Sequence, residues 1–337
     1  MAIGLGFETS CDETSVSVVE NGRKILSNVI SSQIDIHREY SGVVPEIASR
    51  SHLEVINNAT DRALQDAGIS FEDLDFVSCA NRPGLIGSLM ISMQSAKVVS
   101  FFMNIPLVTV SHIEAHLYAA FLSNTSLSFP FIGLLVSGGN TALYYAEDIG
   151  KLSLIGRTTD DAVGEAFDKV SKYLGLGYPG GPVIDRLAAT AVLKNINFPK
   201  KVNTKNDPFE FSYSGIKTAV INYIEKNPDA PKEEIVYAFQ ESAVEILLSR
   251  LILAAEKHGT ENIVVAGGVA ANSRLRERLR GLGKQYRIFL PEHILCTDNA
   301  AMVAGLGYHY YKRGVFSGTD AQVFAKDSEL RIKRDSI

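Results

Sequence analysis

The chain has 337 residues, a length that suggests two domains, and its 46% hydrophobic and 21% charged content is ordinary for a protein that builds a core. A formal net charge of -5 gives no global attraction for nucleic acid, and three cysteines (Cys11, Cys79, Cys296) without a CxxC pair argue against a disulfide framework and a thiolate zinc site. Ser100, Asn104 and Pro106 break the apolar stretch from 98 to 110, so no membrane span is expected; the strand-like N-terminus leaves no room for a targeting peptide, and a cytoplasmic protein (or a mitochondrial matrix one already freed of its presequence) is the natural reading.

Residues 3–7 form an apolar run that reaches a polar turn at 8–14, and residues 15–18 resume with period two, which reads as strand, turn, strand. Residues 45–67 read as a helix, with Pro45 in its first turn and Gly68 as its stop. A strand at 75–79, a turn at 83–87 and a helix at 88–102 follow, then a strand at 107–110 and a helix from about 113 to 122. The opening pattern returns as a strand at 131–136, a turn at 137–141 and a strand at 142–145, roughly 130 residues after its first copy. The polar, proline-containing stretch 195–214 reads as a long loop. An amphipathic helix at 242–258, a buried strand at 263–266, a Gly-Gly turn and an arginine-rich helix complete the pattern. Strands alternating with helices mean α/β with mixed sheets. The duplication resembles the two-lobed plan of actin, sugar kinases and heat-shock ATPases, with a ligand cleft between the lobes. The N-terminal lobe is expected at 1–125, with a helix at about 300–325 packing back on it, and the C-terminal lobe at 126–299.

Ser111-His-Ile-Glu-Ala-His116 places two histidines four apart on one helical face, with Cβ atoms about 5–6 Å apart, where one ion can meet both. A pair of surface or capping histidines is the plainer alternative. A metallopeptidase needs Glu directly after the first histidine; Ile113 stands there, and the shift to Glu114 turns the carboxylate by about 100° off the metal face. Asp298 lies in a polar turn before a helix of small residues, so it either caps that helix or supplies a third ligand. Two imidazoles and a carboxylate, shared between the lobes, would leave positions open for substrate, as catalytic zinc and non-haem iron sites do.

Two glycine turns, Ser137-Gly138-Gly139 and Gly267-Gly268, each end an apolar strand and can present backbone N–H groups to phosphate or carboxylate. Asp168 and Asp185 flank a rigid Gly/Pro loop; either can bind substrate hydroxyls or be a solvated turn residue. Arg274, Arg276, Arg278 and Arg280, and the cluster Lys200, Lys201 and Lys205, are local positive patches whose alternatives are an RNA contact and a solvated face.

Together, Glu8-Thr-Ser-Cys-Asp-Glu-Thr14, Arg82-Pro-Gly-Leu85, His112-Ile-Glu-Ala-His116, Val136-Ser-Gly-Gly139, Tyr178-Pro-Gly-Gly-Pro182, Phe211-Ser-Tyr-Ser-Gly-Ile-Lys-Thr218, Gly267-Gly-Val-Ala-Ala-Asn272 and Thr297-Asp-Asn299 closely resemble the tRNA N6-adenosine threonylcarbamoyltransferase family, in its bacterial or mitochondrial form. The resemblance implies transfer of threonylcarbamoyl from threonylcarbamoyl-adenylate to N6 of the adenosine 3′ of the anticodon, in tRNAs that read codons starting with A. It implies one divalent metal per chain, iron or zinc, on His112, His116 and Asp298. It assigns the adenylate to Val136, Ser137, Gly138, Gly139, Asn140, Asp168, Gly181, Asp185 and Asn272. Asn140 stands where bacterial relatives carry His, and Leu135 where the archaeal type offers a tyrosine to its metal, so three protein ligands are expected.

An exocyclic adenine amine is a poor nucleophile, so activation falls to the electrophile; Asp12 or Glu13, on the first turn, is expected to position the amine or take its proton. The implied protein partners are a smaller inactive paralogue and a P-loop ATPase. The helix at 45–67 is the docking candidate, unless Ile47, Val55, Ile56, Ala59 and Ala63 are ordinary core. Two rivals are weighed: an ATP-dependent kinase or ATPase of the same superfamily, which would use Mg²⁺ on oxygen ligands and needs no imidazoles, and a non-catalytic paralogue or scaffold, against which the intact His112, His116, Asp298 and glycine turns argue.

Overall fold

The structure, a computed structural model, describes residues 1–40, 42–200 and 207–327. Among the described residues the chain divides into two compact units, the first formed by Met1–Ser126 and the segment from Pro291 to Asp327, the second by Leu127–Leu290. In the first unit β1 (Ile3–Glu8) is buried along its whole length and pairs antiparallel with β2 (Glu13–Glu20), Phe7 opposite Val16. β3 (Lys24–Ser32) extends the antiparallel edge. A short helix α1 (Ile34–Arg38) leads to α2 (Pro45–Ala67), which starts on a proline and stops at Gly68 with φ 69°. β4 (Phe76–Arg82) joins β1 in parallel, α3 (Ile86–Met103) crosses over, β5 (Leu107–Ser111) joins β4 in parallel, and α4 (His112–Ser123) follows at once. The sheet order is β3-β2-β1-β4-β5.

The second unit repeats this plan. β6 (Phe131–Val136), β7 (Thr141–Asp148) and β8 (Lys151–Arg157) form the antiparallel part. The helices α5 (Val163–Tyr173), α6 (Gly180–Ala188), α7 (Ser214–Lys226) and α8 (Lys232–His258) come next. β9 (Asn262–Ala266) then pairs parallel with β6, α9 (Ser273–Gly281) follows, and β10 (Arg287–Phe289) pairs parallel with β9. The order β10-β9-β6-β7-β8 is the first sheet's order again, so the internal repeat in the sequence is a duplicated topology.

The chain rejoins the first unit at Pro291, not at about 300, so Asp298 belongs to that unit. α10 (Ala300–Lys312) lies against β1, where a Cβ at Gly6 would stand 2.5 Å from the Ala300 carbonyl oxygen. Its helix ends at Lys312, well short of 325, and Gly314 follows with φ 70°. The extended segment beyond covers the β5 edge: Ser317 bridges to Leu107, Lys97 donates to the Ala321 carbonyl, and Asp327 accepts from Arg82 at 3.3 Å and from the Ser111 hydroxyl at 2.6 Å.

One open alternative is decided and two expectations change. Ile56, Ala59 and Ala63 of α2 pack in the core, with Ile47 and Val55 half-buried, so the apolar stripe of this helix mostly faces its own sheet. α3 is by length and composition a helix that could cross a membrane, which the broken run after Val98 did not suggest; Leu89, Met93 and Ala96 nonetheless bury one side of it in the first unit. α8 starts at Lys232 rather than 242, behind Pro231, and is buried on nearly every face rather than amphipathic. Lys201, Lys205 and the rest of 201–206 within the predicted 195–214 loop lie outside the described residues.

Candidate functional site

β5 ends at Ser111 and α4 begins at His112, so the two histidines occupy the first two turns of a helix that leaves the carboxyl end of a strand. Both are buried, their rings 4.4 Å apart. Asn299 caps α10, its Oδ1 accepting the Met302 N–H at 3.1 Å, and this relieves Asp298 of the capping role. Asp298 Oδ1 lies 2.9 Å from His116 Nε2 and 3.6 Å from His112 Nε2, and the two Nε2 atoms are 3.1 Å apart. The three donor atoms lie within 4.8 Å of one another. The expected triad is therefore assembled, but by the first unit alone, since the chain returns to it before residue 298.

This donor set fits a metal ion. With the His112 Nδ1–H given to Glu8, the His112 Nε2 lone pair converges with His116 Nε2 and Asp298 Oδ1, and a cation can satisfy all three atoms where one shared proton satisfies a single contact. The charges respond in the same sense. Burial alone would lower the His112 pKa, yet the Glu8 and Asp298 carboxylates outweigh it and push it up to about 9. Asp298 is held well below the usual carboxylate range: burial opposes this, and the His112 and His116 rings overcome it.

Sequence reasoning passed over Glu8 and Ser10. Glu8 closes β1 and is wholly buried; its Oε2 lies 3.0 Å from His112 Nδ1, and its Oε1 accepts the Ser10 N–H at 2.6 Å. The Ser10 hydroxyl is 3.1 Å from His112 Nδ1 and 3.5 Å from Asp298 Oδ2. The readable signal was a carboxylate at the end of an otherwise apolar central strand. Asp12 closes the turn and Glu13 opens β2, with Glu13 within electrostatic reach of Asp298. Glu13 is pushed up to about 9, first by burial and then by the Asp298 and Asp12 charges, and burial followed by the same two carboxylates drives the Cys11 thiol far above its usual range.

A buried histidine braces that turn. His52 Nε2 donates to the Cys11 carbonyl at 3.0 Å, and its Nδ1 accepts from the Thr14 hydroxyl at 2.7 Å and from the Gln33 amide at 3.1 Å. Burial holds its pKa below the ordinary 6.5, against the lift from the Cys11 carbonyl and nearby carboxylates. Below pH 6.5 the unfolded chain therefore takes up a proton that the folded chain refuses, and stability falls as pH drops toward the depressed value. Urea unfolding of native protein and His52→Gln, at about pH 7.5 and about pH 5.5, should show a smaller acid loss in the variant. Equal losses would remove His52 from the account.

In the second unit, Ser137 and Asn140 close a tight turn after β6: Ser137 N donates to the Asn140 carbonyl at 2.8 Å, and Asn140 N donates to the Ser137 hydroxyl at 3.1 Å. Gly138 and Gly139 have open space where a Cβ would stand, so their backbone is accessible to a ligand. The first turn of α5 meets this loop, with Gly164 N donating to the Ser137 carbonyl at 3.3 Å. Asp168 of α5 accepts the Gly180 N–H at 2.6 Å beside Gly181, and burial raises its pKa. Asp185 accepts from the Asn272 amide at 3.2 Å and from both the N–H and hydroxyl of Ser273, while Asn272 Oδ1 caps α9 through Leu275 N at 2.9 Å. The predicted loop residues thus fall into Val136–Asn140 against α5, Asp168 with the Gly180–Gly181 turn, and Asp185 with Asn272. Asp168, Asp185 and Asn272 each also hold backbone in place.

Of the arginines, Arg274 pairs with Glu241 and Glu277, Arg278 pairs with Glu241 and Glu245, and Arg276 donates to the Ala270 carbonyl at 2.7 Å. Most of that patch is internally compensated, which favours the structural alternative over an RNA contact.

The fold resembles solved structures at low identity. HypF from T. kodakarensis superposes with a TM-score of 0.63 at 14% identity, over 93% of this chain and 48% of that one. Component A of the Acidaminococcus fermentans (R)-2-hydroxyglutaryl-CoA dehydratase gives 0.56 at 17%, over 93% and 100%. These likenesses speak for the fold alone. In sequence, the chain is 47% identical over 326 residues to the tRNA N6-adenosine threonylcarbamoyltransferase of Brachyspira hyodysenteriae, covering 96% of this chain and 95% of that one. It is 49% identical over 318 residues to the enzyme of that name from Kosmotoga olearia, covering 94% and 96%. The family model described as tRNA N6-adenosine threonylcarbamoyltransferase matches residues 24–305. With triad, glycine turns and matched length in agreement, this chain belongs to the tRNA N6-adenosine threonylcarbamoyltransferase family.

Proposed function

We infer that this chain is an acyltransferase that moves a threonylcarbamoyl group onto N6 of the adenosine 3′ of the anticodon in tRNAs reading codons that start with A. Family membership over nearly the whole length carries this reading. The donor is threonylcarbamoyl-adenylate: N6 attacks the carbamoyl carbon, the bond from that carbon to the phosphate oxygen breaks, AMP departs, and one proton leaves N6.

His112, His116 and Asp298 would hold one divalent ion, iron in the first instance or zinc. When bound, the ion supplies Lewis-acid polarisation of the threonylcarbamoyl group. The open backbone of Ser137, Gly138 and Gly139, with Val136 before it and Asn140 after it, suits the phosphate and the developing charge on the carbonyl. Asp168, Gly181, Asp185 and Asn272 are assigned to the nucleoside end. Their remaining acceptors suit hydroxyl groups, although the structural bonds of Asp185 and Asn272 leave them fewer. Asp12 or Glu13 positions the amine or takes its proton. Unpaired anticodon-loop bases need no duplex opening, so stacking and phosphate contacts suffice.

Two protein partners follow from the same reading, a smaller inactive paralogue and a P-loop ATPase. The apolar side chains left exposed on the first unit, Leu53 of α2 and Phe101 and Phe102 of α3, support a protein partner for that unit. A tRNA substrate supports a location in the cytoplasm or the mitochondrial matrix.

The test is single-turnover transfer from synthetic adenylate to unmodified tRNA, with and without the partner proteins. Asp12→Ala and Glu13→Ala should each be compared with native chain; the one that acts on the amine should slow transfer by about 10²–10⁴-fold with adenylate binding preserved. Native rates in both would end the acid–base role. Absence of transfer by the native chain with all partners present would end the functional reading itself.

A further inference from the structure

The two histidines of the triad differ in how they are anchored. His112 Nδ1 meets Glu8 Oε2 at 3.0 Å, and that carboxylate is wholly buried at the end of β1. His116 Nδ1 is buried with no hydrogen-bond partner among the described residues. Ligating histidines ordinarily hand their second nitrogen's proton to a carboxylate, carbonyl or water, which fixes the ring and its tautomer. Among the described residues, only one of the two rings has that support.

We propose that Glu8 is a positioning residue for the metal: by accepting the Nδ1–H of His112 it fixes that ring so that Nε2 is the atom presented to the ion. The inference rests on the reading of His112, His116 and Asp298 as metal ligands. Glu8 touches neither ion nor substrate in this account; it acts through His112. Its second oxygen is engaged as well, accepting the Ser10 N–H at 2.6 Å, so the carboxylate serves as an acceptor on both sides. The Ser10 hydroxyl, 3.1 Å from His112 Nδ1 and 3.5 Å from Asp298 Oδ2, sits between the anchored ring and the third ligand. The β1 terminus thereby ties one ligand to the other, through a strand whose every residue is buried.

Glu8→Gln isolates this role. An amide has one acceptor and one donor, so it can satisfy either Ser10 N–H or His112 Nδ1–H but not both, and the alternative is a His112 tautomer with its proton on the metal side. Chelator competition with zinc alone on the full-length chain should show binding weaker by about 10–100-fold. The metal-free variant should keep the native far-ultraviolet dichroism and melting temperature, and transfer should recover as zinc is raised. A general packing defect would instead lower the melting temperature and would not be rescued by metal.

A second measurement needs no variant. In the zinc-loaded native chain, ¹⁵N spectra of the histidines should show His112 metallated at Nε2 and protonated at Nδ1. Zinc on His112 Nδ1, or native zinc affinity in a folded Glu8→Gln, overturns the proposal and leaves the metal triad standing. Failure of the native chain to bind zinc or ferrous iron at all would overturn the triad reading as well.

Discussion

His116→Ala should leave the purified chain without bound metal and slow threonylcarbamoyl transfer by about a thousandfold, the rate equivalent of roughly 4 kcal/mol. The size of the effect follows from how little else could take over. Removal of this ring leaves His112 and Asp298, whose Nε2 and Oδ1 atoms are 3.6 Å apart, and two ligands do not make a closed protein set for zinc or iron. The substitution also leaves the half-buried Asp298 beside one imidazole instead of two, and those rings are what hold its carboxyl ionised against desolvation. Metal analysis by mass spectrometry, run beside single-turnover transfer, reads both effects. If the variant retained near-stoichiometric metal, the ligand set would be wrong. If it lost the metal and kept its rate, the ion would be structural and the polarising role would have to be abandoned.

Gly267→Ala should destabilise the chain by about 3 kcal/mol or more, because two independent penalties coincide. Gly267 has φ 92° and ψ 165°, a region that essentially only glycine visits. An added Cβ would also stand 2.4 Å from the Val136 carbonyl oxygen, a backbone atom that cannot rotate away. Val136 opens the proposed adenylate loop, so any shift that relieves the clash moves Ser137 and Gly138 with it. Urea unfolding should show the loss of stability, and the apparent adenylate affinity should fall in the fraction that remains folded. Gly139→Ala is the control: φ is not in the left-handed region and nothing lies within 4 Å of the new Cβ, so stability should stay within about 0.5 kcal/mol of native. A Gly267→Ala protein as stable as the control would refute the strained-turn account.

The elements that sequence pattern located well are those whose boundaries carry local chemistry. α2 starts on Pro45 and stops at Gly68, and β6 runs as an uninterrupted apolar segment from Phe131 to Val136. The duplication was legible because a strand, a polar turn and a second strand recur once, roughly 130 residues after the first copy. The misjudged elements are those set by tertiary burial. α8 reads as amphipathic only over its later half, but most of the helix is enclosed, so its early residues Ile235, Val236 and Phe239 find partners that local pattern does not reveal. The triad was readable in its residue types and in the four-residue spacing of the histidines. Its placement within one unit was not, because that depends on where the chain rejoins the first sheet. Glu8 escaped for a related reason: a carboxylate next to a polar turn looks solvated in sequence, and only the parallel alignment of β1, β4 and β5 brings it beside His112.

The return of the chain at Pro291 has a consequence for biosynthesis. Asp298 meets His116 across 182 residues of sequence, and Asp327 meets Ser111 across 216. During translation the amino-terminal strands and the histidine helix emerge long before the residues that complete their layer, so an early nascent chain exposes a sheet lacking α10 and an imidazole pair lacking its carboxylate. The inserted second unit, continuous in sequence, can close first, and loop-closure entropy makes the late docking of the carboxy-terminal segment the slow step. On the proposed ligand set, metal acquisition at full strength is thereby deferred until synthesis is nearly finished, so a prematurely terminated or clipped polypeptide that stops before Pro291, lacking about its last seventh, is denied the carboxylate ligand even if every earlier residue is intact.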